Sequence, residues 1–395
     1  MTELYSPAAF ERLTDDPWND DRVRDKVAAI VKRTDDGYRG PKLMWRAHDW
    51  DRWHGTSPMK QLYTGVAGVA WALDALYRRG FAGSSLNLGD IAMQNLRNFR
   101  ERPDYLKGMK LPERRDSALL TGEAGILLIA WRLAGERQVA EDLFARVREN
   151  IDSDVDEIMW GAPGSMIAAH AMWHATKEQR WKDAWDESAA ALLARRGSDG
   201  LWTQHLYGRE MKSLTPPHGL VGIVQTLTPL LDEQTLKSLR DDAASVLERT
   251  AVRGDGLVNW PPHDRPTLPG PDGQIRLQWC AGAPGIVHGA GDYLDEDLLV
   301  AGAELVWKAG PHGEEKGPGI CHGTAGNGYA FLKTFKRTGD EKWLDRARRF
   351  AMHALAQAER MQPRYSLWTG DVGAAIYASD CVAATSEYPI IETLD

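Results

Sequence analysis

Two cysteines and two histidines stand at the entries to glycine motifs in this chain. Cys280 lies in Trp279-Cys280-Ala281-Gly282-Ala283-Pro284-Gly285, Cys321 and His322 in Gly319-Ile320-Cys321-His322-Gly323, and His218 in Pro216-Pro217-His218-Gly219. Two thiols and an imidazole brought together make a soft three-ligand set. Such a set suits zinc and leaves a fourth position open, as catalytic zinc requires. By themselves the same residues would serve equally as buried structural thiols beside an unrelated histidine.

The elements that must position them are visible as a repeat. One glycine, two residues, a second glycine and then an apolar run recur in seven copies, opening at Tyr63, Leu120, Trp160, Pro217, Trp279, Cys321 and Trp368. One such motif is ordinary; seven, each starting an apolar segment, define an architecture. Between them lie charged stretches such as Glu136–Arg148, Glu178–Arg195, Asp232–Glu248 and Asp340–Glu359, with apolar residues at three- and four-residue steps. That period predicts helices with one buried face. Each repeat therefore reads as loop, inner helix, turn, outer helix, giving about fourteen helices and few strands. The first glycine is expected to supply a positive-φ turn and the second a close backbone approach. Because the loops differ so much in chemistry, the expectation is an all-α fold closed into an α/α toroid of seven helical hairpins. The whole chain, 1–395, would be one domain, with residues 1–60 carrying no motif.

Composition excludes other classes. The 48 Lys and Arg against 56 Asp and Glu give a net charge of −8, and no basic block offsets it, so nucleic acid and anionic membranes are poor partners. Three widely separated cysteines cannot form a disulfide framework, which points to a reducing, cytoplasmic location. The amino terminus has no basic start followed by an apolar run, and no stretch has the roughly 18–20 apolar residues of a membrane span.

On Trp279–Gly285 and on Cys321–Phe331, read as CHGTAGNGYAF, the chain resembles the lanthionine synthetase C superfamily over roughly Tyr63 to Tyr377. The resemblance implies one zinc per chain, held by Cys280, Cys321 and His322. It also implies Michael-type addition of a thiol to dehydroalanine or dehydrobutyrine, giving a thioether. With two thiolate ligands the three-ligand centre is formally neutral, so a third thiolate would stay electron-rich. The reaction further asks for a cation and a general acid nearby. His218 resembles the family's proton-transfer histidine, and Arg276, four residues before Cys280, its active-site arginine. Glu157 stands where the peptide cyclases carry an aspartate. Lys316, five residues before Cys321, resembles the LanC-like group, in which glutathione is the incoming thiol. Lys316, Arg276 and Arg364 would supply positive charge for that anion, although Arg364 reads more readily as a solvated surface arginine.

The substrate implied is a dehydrated peptide or protein. No fused dehydratase fits into 395 residues, so dehydration is expected either from another protein, a separate kinase or dehydratase, or from lost phosphate. Alternative readings are a lanthipeptide cyclase closing intramolecular rings and a non-catalytic module that binds zinc and glutathione. A carbohydrate-active barrel would suit the sixteen tryptophans but lacks a catalytic carboxylate pair. His170 and His174 have i, i+4 spacing without a metalloprotease glutamate and read as packing or surface residues. His288 and His312 do not occupy ligand positions, and Cys381 reads as a semi-buried thiol. The proline-rich stretch Val258–Gln278 reads as a loop bordering the site, a candidate lid.

Overall fold

The computed structural model describes residues 4–52, 57–105, 110–264 and 274–394. Among these, fourteen long helices alternate between two layers. The inner ones are α2 (Val66–Arg78), α4 (Glu123–Ala134), α6 (Ala162–Thr176), α8 (Leu220–Leu227), α10 (Ala283–Ala290), α12 (Thr324–Thr338) and α14 (Asp371–Ala383). The outer ones are α1 (Asp20–Asp36), α3 (Leu88–Glu101), α5 (Arg137–Asn150), α7 (Gln179–Ala194), α9 (Glu233–Thr250), α11 (Glu296–Ala309) and α13 (Glu341–Arg360). Each inner helix touches the next, and α14 touches α2, so the inner layer is a closed ring.

Six inner helices pack against the outer helix that follows them in the chain, as expected from the repeat. No described helix follows the seventh, α14. Its outer partner is α1, from the segment that carries no motif, and Arg33 on α1 pairs with Asp371 on α14 at 2.8 Å.

Sequence composition separates the layers. In α9 the buried residues are Leu239, Ala243, Val246 and Leu247, one stripe of an amphipathic helix, whereas α10 is buried at every position. Five outer helices begin with a side-chain cap; Asp295, for instance, accepts from the backbone N–H groups of Asp297 and Leu298. All seven inner helices begin at the first glycine of the motif and have no such cap. Instead the loop folds back over the helix start. Thr324, Ala325 and Gly326 donate to the carbonyls of Gly317, Pro318 and Gly319, each seven residues earlier.

This crossing explains the glycines and corrects the expectation for the first of them. Only Gly282 takes a positive φ, of 116°; the other six first glycines are extended. What they share with the second glycines is crowding. A Cβ on Gly161 would stand 1.9 Å from the Val155 carbonyl oxygen, and one on Gly125 would stand 1.9 Å from that of Leu119. The second glycines also seat the neighbouring repeat. Gly125 lies against Leu62, Gly164 against Leu119, and Gly68 closes the circle against Leu367 of the last repeat.

Two antiparallel hairpins complete the described chain: β1 (Gln204–Leu206) with β2 (Arg209–Met211), and β3 (Val252–Gly254) with β4 (Leu257–Asn259). After α14 the chain turns at Ala384, with φ of 52°, and residues 385–394 fold back towards the centre of the ring from the end opposite the motif loops. No described helix is long and apolar enough to cross a membrane.

Candidate metal centre

The ring places equivalent residues of the seven loops side by side. Five residues before the second glycine stand Tyr63, Leu120, Met159, Pro217, Cys280, Cys321 and Trp368; one residue later come Thr64, Thr121, Trp160, His218, Ala281, His322 and Thr369. Backbone bonds tie several of these positions together. Cys280 N–H donates to the Cys321 carbonyl at 3.4 Å, Cys321 N–H to that of Trp368 at 2.7 Å, and Trp368 N–H to that of Tyr63 at 3.3 Å.

The sulfurs of Cys280 and Cys321 and a ring nitrogen of His322 all lie within 4.8 Å of one another. Each thiol meets a donor: Gln278 Nε2 is 2.9 Å from the Cys280 sulfur, and the Tyr63 hydroxyl is 3.0 Å from that of Cys321. The hydrogen bond from Cys321 holds the Cys280 thiol well below its usual range, against burial and with help from His322 and Gln278. Burial and the neighbouring Cys280 push Cys321 up. The pair thus gives up one proton much more readily than the second. His322 Nδ1 is buried without a hydrogen-bond partner among the described residues. An S₂N donor set this tight, with an orphaned imidazole nitrogen and thiols supported by donors, fits a soft divalent ion such as zinc.

Beside it lies a histidine–carboxylate pair. His218 Nδ1 is 2.7 Å from Glu157 Oε2, and the Glu157 side chain is 0% exposed. The other carboxylate oxygen accepts from Trp160 N–H, so Glu157 holds its own loop and the histidine of the next one together. Burial disfavours the imidazolium of His218, but the hydrogen bond and charge of Glu157, with a contribution from Cys280, outweigh it and raise the pKa. With Nδ1 engaged, Nε2 is the nitrogen left to act. The first hairpin frames this side: Tyr207 in its turn accepts from Trp160 Nε1 at 2.8 Å.

On the other side, Trp50 gathers three residues. His322 meets its ring at 5.5 Å in a T-shaped contact, Lys316 Nζ lies 5.5 Å from its centroid, and the Arg364 guanidinium lies 5.0 Å from it. Arg364 is 3% exposed, which excludes the surface arginine; its Nη1 donates to the carbonyls of Lys316 and Thr369. Asp51, 2% exposed, sits beneath, and burial raises its carboxyl to about 6 despite Arg364, Thr369 and His322. Trp50 and Asp51 belong to a one-turn helix, Asp49–Arg52, in the segment without a motif.

Arg276 is not drawn into this cluster. Its side chain is exposed and makes no hydrogen bond or ion pair with another described residue, while its carbonyl accepts from Asn259. His288 is fully buried against the Ser386 carbonyl and His312 donates to that of Leu277, so both are structural. His170 and His174 stand 6.5 Å apart around a cavity of about 270 Å³ at the opposite end of the ring. Cys381 is fully rather than partly buried, and burial pushes its thiol far up. Of the candidate lid, residues 265–273 lie outside the described residues. Its preceding part is pinned to the segment leading to His218 through Leu214 N–H and the Pro262 carbonyl at 3.0 Å.

The chain belongs to the lanthionine synthetase C-like family, whose sequence model matches residues 58–392. It is 33% identical over 132 residues to glutathione S-transferase LANCL1 of Danio rerio, covering 30% of this chain and 32% of that protein. It is 29% identical over 130 residues to LanC-like protein GCL1 of Arabidopsis thaliana, covering 29% of each. The matched stretch spans about a third of the length of these relatives. Among solved structures, nisin cyclase superposes over 92% of this chain and 95% of its own with a TM-score of 0.61 and 15% identity, a likeness of fold.

Proposed function

We propose that this lanthionine synthetase C-like chain is a zinc enzyme that adds a thiol, glutathione in our reading, to dehydroalanine or dehydrobutyrine residues of a peptide or protein. The observation that carries the proposal is the Cys280–Cys321–His322 cluster within electrostatic reach of the His218–Glu157 pair. Zinc held by those three residues would supply the positive charge that stabilises an incoming thiol as its thiolate at neutral pH. The name of the Danio rerio relative supports glutathione as that thiol.

The chain's own residues account for the rest. As sulfur bonds to Cβ, the π pair of the Cα=Cβ bond shifts towards the substrate carbonyl, and a proton must then reach Cα. His218 is suited to deliver it, because Glu157 orients the ring and keeps it protonated to higher pH than a free histidine. The thiol's own proton, lost on binding, restores the imidazolium over a turnover. The exposed guanidinium of Arg276 is available to a carbonyl oxygen that gains charge. Half-buried Lys316 offers its ammonium to a carboxylate of the thiol. Arg364 donates through Nη1 to the Lys316 and Thr369 carbonyls and so holds that lysine's loop, while its buried Nε has no partner among the described residues.

Two measurements test the reading. Purified protein should contain one zinc per chain; protein that takes up none overturns it. With a dehydroalanine peptide and glutathione, mass spectrometry should show peptide gaining the mass of glutathione. With a peptide that also contains cysteine, closure to a ring without uptake of glutathione would assign the chain to the cyclase reading instead.

A further inference from the structure

The tail beyond α14 enters the ring from the end opposite the motif loops, yet one of its side chains reaches their residues. Tyr388 is 0% exposed. Its hydroxyl donates to the carbonyl of Ile320, the residue before Cys321. Its ring stacks on Trp279, the residue before Cys280, with centroids 4.4 Å apart and planes 14° from parallel. It also meets Trp368 at 5.7 Å, and the carbonyl of Trp368 receives the Cys321 N–H. One side chain therefore touches the neighbour of each thiol and the loop that anchors the second.

The tail is held firmly enough to act as a reference. Tyr388 N–H donates to Glu392 Oε2 at 2.7 Å, and Glu392 Oε1 accepts from Gln225 on α8 at 3.2 Å. His288 on α10 bonds the Ser386 carbonyl at 2.8 Å, and Trp71 on α2 donates to the Leu394 carbonyl at 3.1 Å. Ile390, at the bend, has φ of 70°, a region a β-branched residue occupies only when its surroundings fix it.

We propose that Tyr388 is a positioning residue for the metal centre, setting the spacing of Cys280 and Cys321 through Trp279 and the Ile320 carbonyl. The proposal rests on the zinc reading above. Partners hydrogen-bonded to metal ligands commonly change affinity about 10–100-fold when removed, and a group one residue further out is expected at the low end of that range. Tyr388→Phe keeps the stack and deletes the hydroxyl; Tyr388→Leu removes both. Zinc affinity is measured in the full chain by competition with a chromophoric chelator, and the cobalt(II)-loaded protein is examined for its thiolate charge-transfer band.

Tyr388→Phe should bind zinc about tenfold more weakly and shift the cobalt band, while the metal-free protein melts within a few degrees of wild type. Tyr388→Leu should lose more; if it does not fold, the phenylalanine variant decides. A Tyr388→Phe protein with wild-type affinity and spectrum overturns the role of Tyr388 alone. Wild-type protein that binds no zinc overturns the reading of the centre and this proposal with it.

Discussion

His218 and His322 occupy the same place in their repeats, one residue before the first glycine, and their surroundings differ completely. His322 keeps a buried Nδ1 with no hydrogen-bond partner among the described residues and lies beside two thiols. His218 has its Nδ1 committed to a fully buried carboxylate at 2.7 Å. The two imidazoles share one repeat position, and the neighbouring repeats decide what each can do. Glu157, four residues before the first glycine of the third motif, reaches His218; Gln278, the same position of the fifth, reaches Cys280 instead. In the proposed function, one scaffold position serves as a ligand in one loop and as a proton carrier in another.

The strongest way to break this division is to cross the two roles. Cys321→Ala should cost more than the roughly 100-fold that loss of an outer-shell partner costs in metal affinity. His218→Ala should leave zinc content unchanged and slow thiol addition by about 10²–10⁴-fold. Metal analysis and single-turnover mass spectrometry on the two variants separate them. A His218→Ala protein that lost its zinc, or that added thiol at the wild-type rate, would end the distinction.

Glu157→Gln sharpens it. Without the carboxylate, the His218 pKa falls, so the alkaline limb of the rate profile should move to lower pH, with about a tenfold loss of rate at pH 8. The sign for stability follows from the raised pKa of the folded state. The pair's contribution is complete below the unfolded histidine value of about 6.5 and disappears as pH rises through the higher folded value. Wild type should therefore lose more melting temperature than Glu157→Gln between pH 6 and pH 9; parallel losses would deny the coupling. The smallest effect belongs to His170→Ala/His174→Ala at the opposite end of the ring, which should change zinc affinity and thiol addition by no more than about twofold.

Much of this arrangement is legible once the seven motifs are aligned. Cys280 and Cys321 share one repeat position and His218 and His322 the next, so a closed ring brings them to one end without further information. Tyr63 carries the same signal, since it occupies the cysteines' position, but a phenol there suggests packing until its hydroxyl is seen at the Cys321 sulfur. Arg276 and Arg364 also share a position, six residues before their first glycines. Only Arg364 is roofed by Trp50 and buried, and that roof comes from a segment whose sequence has no repeat to align. The glycines are legible as positions and misleading as conformations: steric exclusion by a carbonyl earlier in the same loop, as of Gly161 by Val155 and Gly125 by Leu119, leaves no trace in the sequence that distinguishes it from a left-handed φ. Tyr388 is hidden for the same reason as Trp50, lying beyond the last motif.

The pairing of α1 with α14 across the closed ring has a consequence for how the molecule comes to be folded. Lys26 pairs with Glu359 and Arg33 with Asp371, contacts separated by 333 and 338 residues. The first outer helix has to wait for an inner helix that lies more than three hundred residues further along the chain. Until then six hairpins can assemble in order by local contacts, while α1 and the open edge of the ring keep apolar surface in water. Contacts of such high order pay their loop-closure entropy before any packing rewards it. Ring closure is therefore the step expected to be slow and exposed to aggregation, and the one a chaperone would have most to gain by shielding.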